Sequence, residues 1–112
     1  MKLNLAKEND VTILSGTGSL DVSVQNHLKD RIDETIHAGV KDLIFDFSEI
    51  TFIDSSCLGI LVSATKNLRE SKGDIKLSNL SEDVRSIFQI TRLDRIFEIF
   101  DLKNEAIDSY FR

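Results

Sequence analysis

Residues 43–47, which read LIFDF, decide the fold class of this 112-residue chain. They form a nearly unbroken apolar run of strand length, which is typical of a central β-strand that is covered on both faces. A short connection through Ile50, Phe52 and Ile53 leads to residues 54–56, which read DSS. An amphipathic helical pattern follows directly. This region therefore predicts a buried strand that leads into a helix.

The N-terminal part of the chain predicts two strands and a helix. Alternating apolar residues indicate a strand over residues 3–5, and a tight turn at residues 9–10 leads into a second strand over residues 11–15. Ser23 is the predicted N-cap of a helix that ends near Gly39. The apolar residues of this helix recur every four positions and are Val24, Leu28, Ile32 and Ile36.

The C-terminal part predicts three more helices with short strands between them. Residues 75–77 mark a short alternating strand, and a third helix follows Ser81. A turn then leads to a last strand that contains Phe97 and Ile99, and a final helical segment begins at Lys103. The residues at helical spacing are Leu58, Leu61, Val62, Thr65 and Leu68 in the second helix, Val84, Ile87 and Phe88 in the third, and Ala106, Ile107, Tyr110 and Phe111 in the last.

Two strand–helix–strand units in succession imply parallel strands that are joined by right-handed crossovers, with helices covering the sheet. We therefore expect an α/β fold with a mixed, mostly parallel sheet of about four or five strands and about four helices. The length fits a single domain over residues 1–112.

The charge balance and the cysteine content exclude several classes of protein. Fourteen Lys and Arg residues against 19 Asp and Glu residues give a formal net charge of −5, which disfavours a nucleic-acid binder. The single cysteine cannot form an internal disulfide, and no apolar run has the length of a signal peptide or a membrane span. We expect a cytoplasmic protein without membrane insertion.

No pattern in the sequence indicates catalysis, a metal site or a cofactor. His27 and His37 lie ten residues apart in one predicted helix, too far from each other to share a metal ion, and are typical of surface histidines. Residues 16–18, which read GTG, lack the remaining elements of a phosphate-binding loop. The sequence also lacks a nucleophile elbow of the Gly-x-Ser-x-Gly kind. We expect no catalytic residues, no metal and no cofactor.

Residues 54–56 allow two interpretations. Asp and Ser are both favoured N-cap residues, so the segment is explained in part by capping of the following helix. One residue is enough for a cap, however, and three polar residues in a row leave at least one hydroxyl group exposed. The N-terminus of a helix also tolerates a phosphate group, because free N–H groups and the helix dipole favour negative charge there.

Residues 52–59, which read FIDSSCLG, resemble the Asp-Ser-Ser/Thr-Gly-Leu-Gly signature of bacterial anti-sigma factor antagonists in the STAS domain family. The resemblance extends over nearly the whole chain and in the same order. Further matching segments are residues 18–21 (GSLD), 46–48 (DFS), 77–80 (LSNL) and 88–94 (FQITRLD).

The resemblance implies a binding protein rather than an enzyme. Unphosphorylated family members bind an anti-sigma factor that is also a serine kinase, and this releases the sigma factor. The kinase phosphorylates the serine after the motif aspartate, and a metal-dependent serine phosphatase reverses the modification. This position is Ser55, with Ser56 as the alternative. Asp21 matches an acidic residue that lies near the phosphorylation site in the family; alternatively, it is a turn or helix-entry residue. The implied surround and partner-binding residues are Asp21, Asp54, Ser56, Cys57, Leu58 and Gly59.

Cys57 departs from the family pattern, which usually has glycine at this position. A thiol there either changes partner choice, has a depressed pKa at the helix N-terminus, or is a small buried side chain. The resemblance also leaves a second function open, a STAS scaffold or regulatory subunit in a lipid-transport, chemotaxis-linked or stress-sensing assembly. We expect a monomer or a weak dimer.

Overall fold

A five-stranded sheet lies at the centre of the computed structural model, which describes residues 1–112. Together with a separate two-stranded sheet and four α-helices it confirms the predicted α/β class. The elements are β1 (Leu3–Glu8), β2 (Val11–Gly16), β3 (Gly18–Leu20), α1 (Gln25–His37), β4 (Asp42–Asp46), β5 (Ile50–Ile53), α2 (Ser55–Glu70), β6 (Asp74–Ser78), α3 (Glu82–Ile90), a 3₁₀ turn (Leu93–Arg95), β7 (Ile99–Phe100) and α4 (Lys103–Ser109).

The central sheet has the order β1-β2-β4-β6-β7 and is mostly parallel, as predicted. Only β1 runs antiparallel to its neighbour, because a two-residue turn at Asn9 and Asp10 joins it to β2. Both turn residues have positive φ angles, 52° and 68°, which Asn and Asp tolerate better than other non-glycine residues do. Every later pairing in this sheet is parallel, since helices connect the strands.

Apolar residues cover both faces of β4, which confirms it as a doubly covered central strand. Leu43 and Phe45 belong to a core of 20 buried residues that the sheet shares with α1, α2 and α3. Ile44 points to the opposite face, where Ala106 and Ile107 of α4 complete a core of five buried residues. The alternation of successive side chains in a strand explains how this short run supplies both cores.

Tyr110 fastens the C-terminal end of the chain to the sheet, one residue after α4. Its hydroxyl group donates to the carbonyl oxygens of Leu43 at 2.6 Å and Asp74 at 2.9 Å, and burial raises the pKa of this phenol. The Lys76 ammonium lies 4.1 Å from the centre of the Tyr110 ring and donates to Ser109 Oγ at 2.7 Å. These contacts hold the C-terminal end of the chain against the second face of the sheet.

Several predicted boundaries are wrong. Residues 50–53, predicted as a connection, form β5, which pairs in parallel with β3 in the two-stranded sheet. Ser23 does not cap α1, because its hydroxyl group donates to Asp21 and Val24 occupies the N-cap position. Phe97 precedes β7, and Phe111 lies beyond α4 with 61% of its surface exposed.

None of the helices combines the length and the apolar composition that a membrane span requires.

Candidate functional site

The candidate site lies where β3 and β5 end side by side. Leu20 pairs with Ile53, so the next residues, Asp21 and Asp54, leave the two strands at the same edge of the small sheet. The backbone N–H of Asp54 also donates to the carbonyl oxygen of Leu20 at 2.9 Å. Two carboxylates that are 33 positions apart in the sequence are thereby brought to one end of the fold.

Asp54 is the N-cap of α2. Its Oδ1 atom accepts hydrogen bonds from the backbone N–H groups of Ser56 at 3.0 Å and Cys57 at 3.2 Å, and from the Ser56 hydroxyl at 2.6 Å. The Ser56 hydroxyl is the largest cause that lowers the pKa of Asp54, and the backbone donors act in the same direction against burial. The carboxylate is therefore held in its charged form at the start of the helix.

The two serines of the Asp-Ser-Ser segment differ in their surroundings. Ser56 is half-buried, and its hydroxyl group donates to Asp54. Ser55 is the first residue of α2, is exposed, and makes no hydrogen bond through its hydroxyl group within the chain. The Ser55 hydroxyl is therefore the one that another protein can reach without first breaking an internal contact.

Asp21 forms a turn that resembles the one at Asp54. Its Oδ1 atom accepts from the backbone N–H of Ser23 at 3.0 Å and from the Ser23 hydroxyl at 2.5 Å. Its backbone carbonyl accepts from the N–H of Val24 at 3.0 Å and from the Cys57 thiol at 3.5 Å. Asp21 thus has the turn role that the sequence allowed, and it also lies in contact with the start of α2.

Cys57 and Leu58 face the core, with 0% and 5% of their surfaces exposed. The resemblance implies a partner-binding role for Cys57, but its side chain is not exposed, because this position of the first turn points toward the end of β3. Burial is the largest cause that raises the pKa of the thiol, and the charges of Asp54 and Asp21 raise it further, while the hydrogen bond with Ser56 opposes them. Burial thus favours the neutral thiol, and Cys57 is a small buried side chain.

Gly59 is exposed and borders a groove between α1 and α2 of about 250 Å³. A Cβ atom at this glycine would meet no atom within 4 Å, so the space above it is open to a partner. Lys29 lies on the α1 side of the groove and is paired with Asp33 at 2.6 Å. The lining residues are Lys29, Ile32, Asp33, Ser56, Gly59, Ile60, Ser63, Ala64 and Asn67.

Sequence reasoning missed two exposed apolar residues near the carboxylates. Val22 follows Asp21 directly and is 65% exposed, and Phe52 in β5 is 46% exposed. The pairing of β5 with β3 places Phe52 opposite Ser19. A strand prediction over residues 50–53 would have marked Phe52 as a candidate surface residue, whereas nothing local distinguishes Val22.

No group of three or more His, Cys, Asp or Glu side chains is arranged to hold a metal ion. His27 and His37 are both exposed on α1, as expected of surface histidines. The chemistry available at the site consists of one free hydroxyl group, two carboxylates and a helix N-terminus. This arrangement is suited to modification and binding.

The profile of the STAS domain family matches residues 2–106, and the chain belongs to this family. It is similar to the anti-sigma-B factor antagonist of Bacillus subtilis, with 32% identity over 92 residues that cover 82% of this chain and 83% of the relative.

Two solved proteins share the fold closely. A crystal structure of a candidate anti-sigma factor antagonist from Thermotoga maritima has a TM-score of 0.93 at 29% identity, covering 98% of this chain and 95% of that chain. The anti-sigma factor antagonist SpoIIAA has been solved without phosphate, with a TM-score of 0.84, and the Bacillus SpoIIAA in phosphorylated form, with a TM-score of 0.75, both at 25% identity. These two structures cover 97% of this chain and 96% and 99% of their own chains.

Proposed function

We propose that this chain is an anti-sigma factor antagonist that acts in the cytoplasm by binding an anti-sigma factor serine kinase, thereby releasing a sigma factor. Membership of the STAS family and the similarity to named anti-sigma factor antagonists support this role. The chain itself acts as a regulatory binding module and not as an enzyme. Phosphorylation of a serine switches it off, and a metal-dependent serine phosphatase switches it on again.

The observation that carries this proposal is the free hydroxyl group of Ser55 at the start of α2. Its neighbour Ser56 is committed to Asp54 through a hydrogen bond of 2.6 Å, whereas Ser55 is exposed and has no such contact. A kinase has to bring the acceptor oxygen to the γ-phosphate of ATP, and this favours a hydroxyl group that needs no rearrangement. The phosphorylated form known for SpoIIAA is consistent with a modification on this fold.

A phosphate group on Ser55 would lie beside charge of the same sign. The N–H groups of Ser56 and Cys57, which could bind it, already donate to Asp54. Asp21 and Asp54 add two carboxylates at the same edge, and Lys29 at the nearby groove is paired with Asp33. The phosphate would add about −1.5 to −2 charges beside these two carboxylates, so it would oppose any partner that covers this surface.

The experiment is phosphorylation of the full chain by candidate anti-sigma factor kinases of the same genome with ATP, read by mass spectrometry. We expect one phosphate on Ser55 in the wild type and in Ser56→Ala, and none in Ser55→Ala. The two alanine variants are matched controls, since each removes one hydroxyl group from the same helical turn. A phosphate that persists in Ser55→Ala would assign the acceptor to Ser56.

The same mixtures test the alternative function. If none of these kinases binds or modifies the chain, the proposed switch is wrong, and a scaffold role in another assembly becomes the better explanation.

A further inference from the structure

The strand β1 ends the central sheet on one side, and its outer edge is unpaired. It lies beside β2 only, whereas the opposite edge of the sheet is β7, a strand of two residues. None of the backbone hydrogen bonds outside the regular elements involves residues 3–8. An unpaired edge of six residues is a template onto which another strand can add.

The hairpin turn determines which backbone groups of β1 face outward. Positive φ angles at both Asn9 and Asp10 define a type I′ turn, in which the flanking residues Glu8 and Val11 exchange two hydrogen bonds. Hydrogen-bonded and non-hydrogen-bonded pairs then alternate along an antiparallel ladder. The N–H and C=O groups that face β2 belong to Asn4, Ala6 and Glu8, and those that face outward belong to Leu3, Leu5 and Lys7.

One side-chain contact agrees with this assignment. The Arg31 guanidinium of α1 donates to the carbonyl oxygen of Leu3 at 3.5 Å, a position that is open only if this carbonyl points away from β2. The contact is long, and the second lone pair of the oxygen remains available. Leu5, in the middle of the edge, is 39% exposed although its partner on β2, Leu14, is buried.

We propose that this edge binds β1 of a second copy of the chain, antiparallel and about a two-fold axis at Leu5. Leu5 then lies opposite Leu5 of the second copy, and Leu3 lies opposite Lys7. The outward groups of these residues meet, so each pair exchanges two backbone hydrogen bonds. On the other face Lys2 lies opposite Glu8, whose carboxylate is also paired with Lys103 of its own chain at 2.9 Å. Opposite charges therefore meet at both ends of the contact.

Other registers lack this match. An axis at Lys7 would place two like charges directly opposite each other, and an axis at Leu3 would leave half of the strand without a partner. An axis at Asn4 or Ala6 also lets outward groups meet, but it forms only two hydrogen-bonded pairs within β1, whereas an axis at Leu5 forms three. The register at Leu5 alone combines three hydrogen-bonded pairs, an apolar centre and opposite charges at both ends. This inference concerns assembly and is independent of the proposed function.

A contact between two short edges buries little surface, so the dimer should be weak. We would measure the association of the full-length protein by sedimentation equilibrium from about 10 µM to about 1 mM, a range suited to weak complexes. The wild type should show a reversible monomer–dimer equilibrium. Sedimentation of the wild type as a monomer over the whole range would overturn the proposal.

Charge substitutions at the two-fold axis test the register. Leu5→Lys and Leu5→Glu should each weaken association at least about tenfold, because like charges then meet across the axis. An equimolar mixture of the two variants should associate at least as well as the wild type. Ile90→Lys is the matched control, since it replaces another exposed apolar residue, 81% exposed at the end of α3, and should leave association unchanged. If the control loses association, or if the Leu5 variants associate as well as the wild type, the interface lies elsewhere and the proposal is wrong.

Amide hydrogen exchange of the wild type provides a test that needs no variant. As the protein concentration rises, protection should increase at the N–H groups of Leu3, Leu5 and Lys7. The N–H groups of Asn4, Ala6 and Glu8 should be protected equally at every concentration, because they bind β2. A uniform change along β1, or a change at the even-numbered residues, would contradict the proposed pairing.

Discussion

Two turns at the ends of adjacent parallel strands make nearly the same local contacts but lead to different structures. Asp21 accepts from the N–H and the hydroxyl group of Ser23 at 3.0 and 2.5 Å. Asp54 accepts from the corresponding groups of Ser56 at 3.0 and 2.6 Å. In both turns the aspartate binds the serine two positions later, and the residue between them points into solvent.

The intervening residue is Val22 in the first turn and Ser55 in the second, and both are exposed. The exposure of Ser55 therefore follows from the turn geometry. Only the second turn has a third contact, from the N–H of Cys57 to Asp54 at 3.2 Å, and only there does a helix begin at once. In the first turn α1 begins later, at Gln25, without a side-chain cap. The same turn is thus followed by an uncapped helix after Asp21, and by a capped helix that begins with a free hydroxyl group after Asp54.

The largest effect that we expect is on the binding of a partner, and it concerns only the second turn. Phosphorylation of Ser55 should weaken binding of the anti-sigma factor at least about a hundredfold, because an unpaired charge in a desolvated interface opposes association by several kcal/mol. Ser55→Ala should bind nearly as well as the wild type, and Ser55→Asp should lie between the two. Titration calorimetry gives this order, and equal affinities of the modified and unmodified forms would remove phosphorylation as the switch.

A duplicated motif sharpens this comparison. Val22→Ser gives the first turn the same Asp-Ser-Ser sequence as the second, but no helix follows directly. We expect the kinase to modify Ser55 alone in this variant, since only Ser55 lies at the start of a capped helix. A second phosphate at position 22 in the mass spectrum would show that the kinase recognises the turn by itself.

Because Asp54 caps α2, the second turn should contribute more to the stability of the fold than the first. Asp54→Ala removes the acceptor of two backbone N–H groups of a 16-residue helix, so the midpoint of thermal unfolding should fall by about 4–8 °C. Asp21→Ala should lower it by less than half as much, because the Asp21 side chain accepts from one backbone N–H group only and caps no helix. Asp54→Asn, which keeps a good cap, is the control. Equal losses in the two alanine variants would mean that the turns contribute equally.

The thiol of Cys57 connects the two turns through its contact with the carbonyl oxygen of Asp21 at 3.5 Å. Cys57→Ala removes this buried contact and leaves a small cavity, so the free energy of unfolding in urea should fall by about 1 kcal/mol. Cys57→Ser retains a hydrogen-bond donor and should restore part of the loss if the contact matters. If both variants unfold like the wild type, the thiol does not couple the turns.

The smallest effect concerns pH. Hydrogen bonds to its charged form lower the pKa of Asp54 below the ordinary carboxyl value of about 3.9. Its charge therefore stabilises the fold fully above that value, and this contribution is lost as the pH falls through the lower pKa of the folded state. Asp54→Asn lacks the charge. The difference between its free energy of unfolding and that of the wild type should therefore shrink between pH 5 and pH 2, because only the wild type loses the contribution of the charge. A constant difference in urea unfolding across this range would show that the charge contributes nothing.

Local pattern was enough to predict the α/β class, the β1–β2 hairpin, the start of α2 at the Asp-Ser-Ser segment and the exposure of one of its hydroxyl groups. Apolar periodicity and turn residues act over a few positions, and they are therefore readable in the sequence. The family resemblance of residues 52–59 was confirmed by the match over residues 2–106.

Tertiary structure alone decided the features that depend on distant pairing. Residues 50–53 form a strand because β3 lies beside them, and this pairing also brings Asp21 to Asp54. Cys57 faces inward because the β3 end packs over the first turn of α2, which raises the pKa of a thiol that the helix N-terminus by itself would lower. These outcomes follow from contacts between residues more than 30 positions apart, and no local pattern contains them.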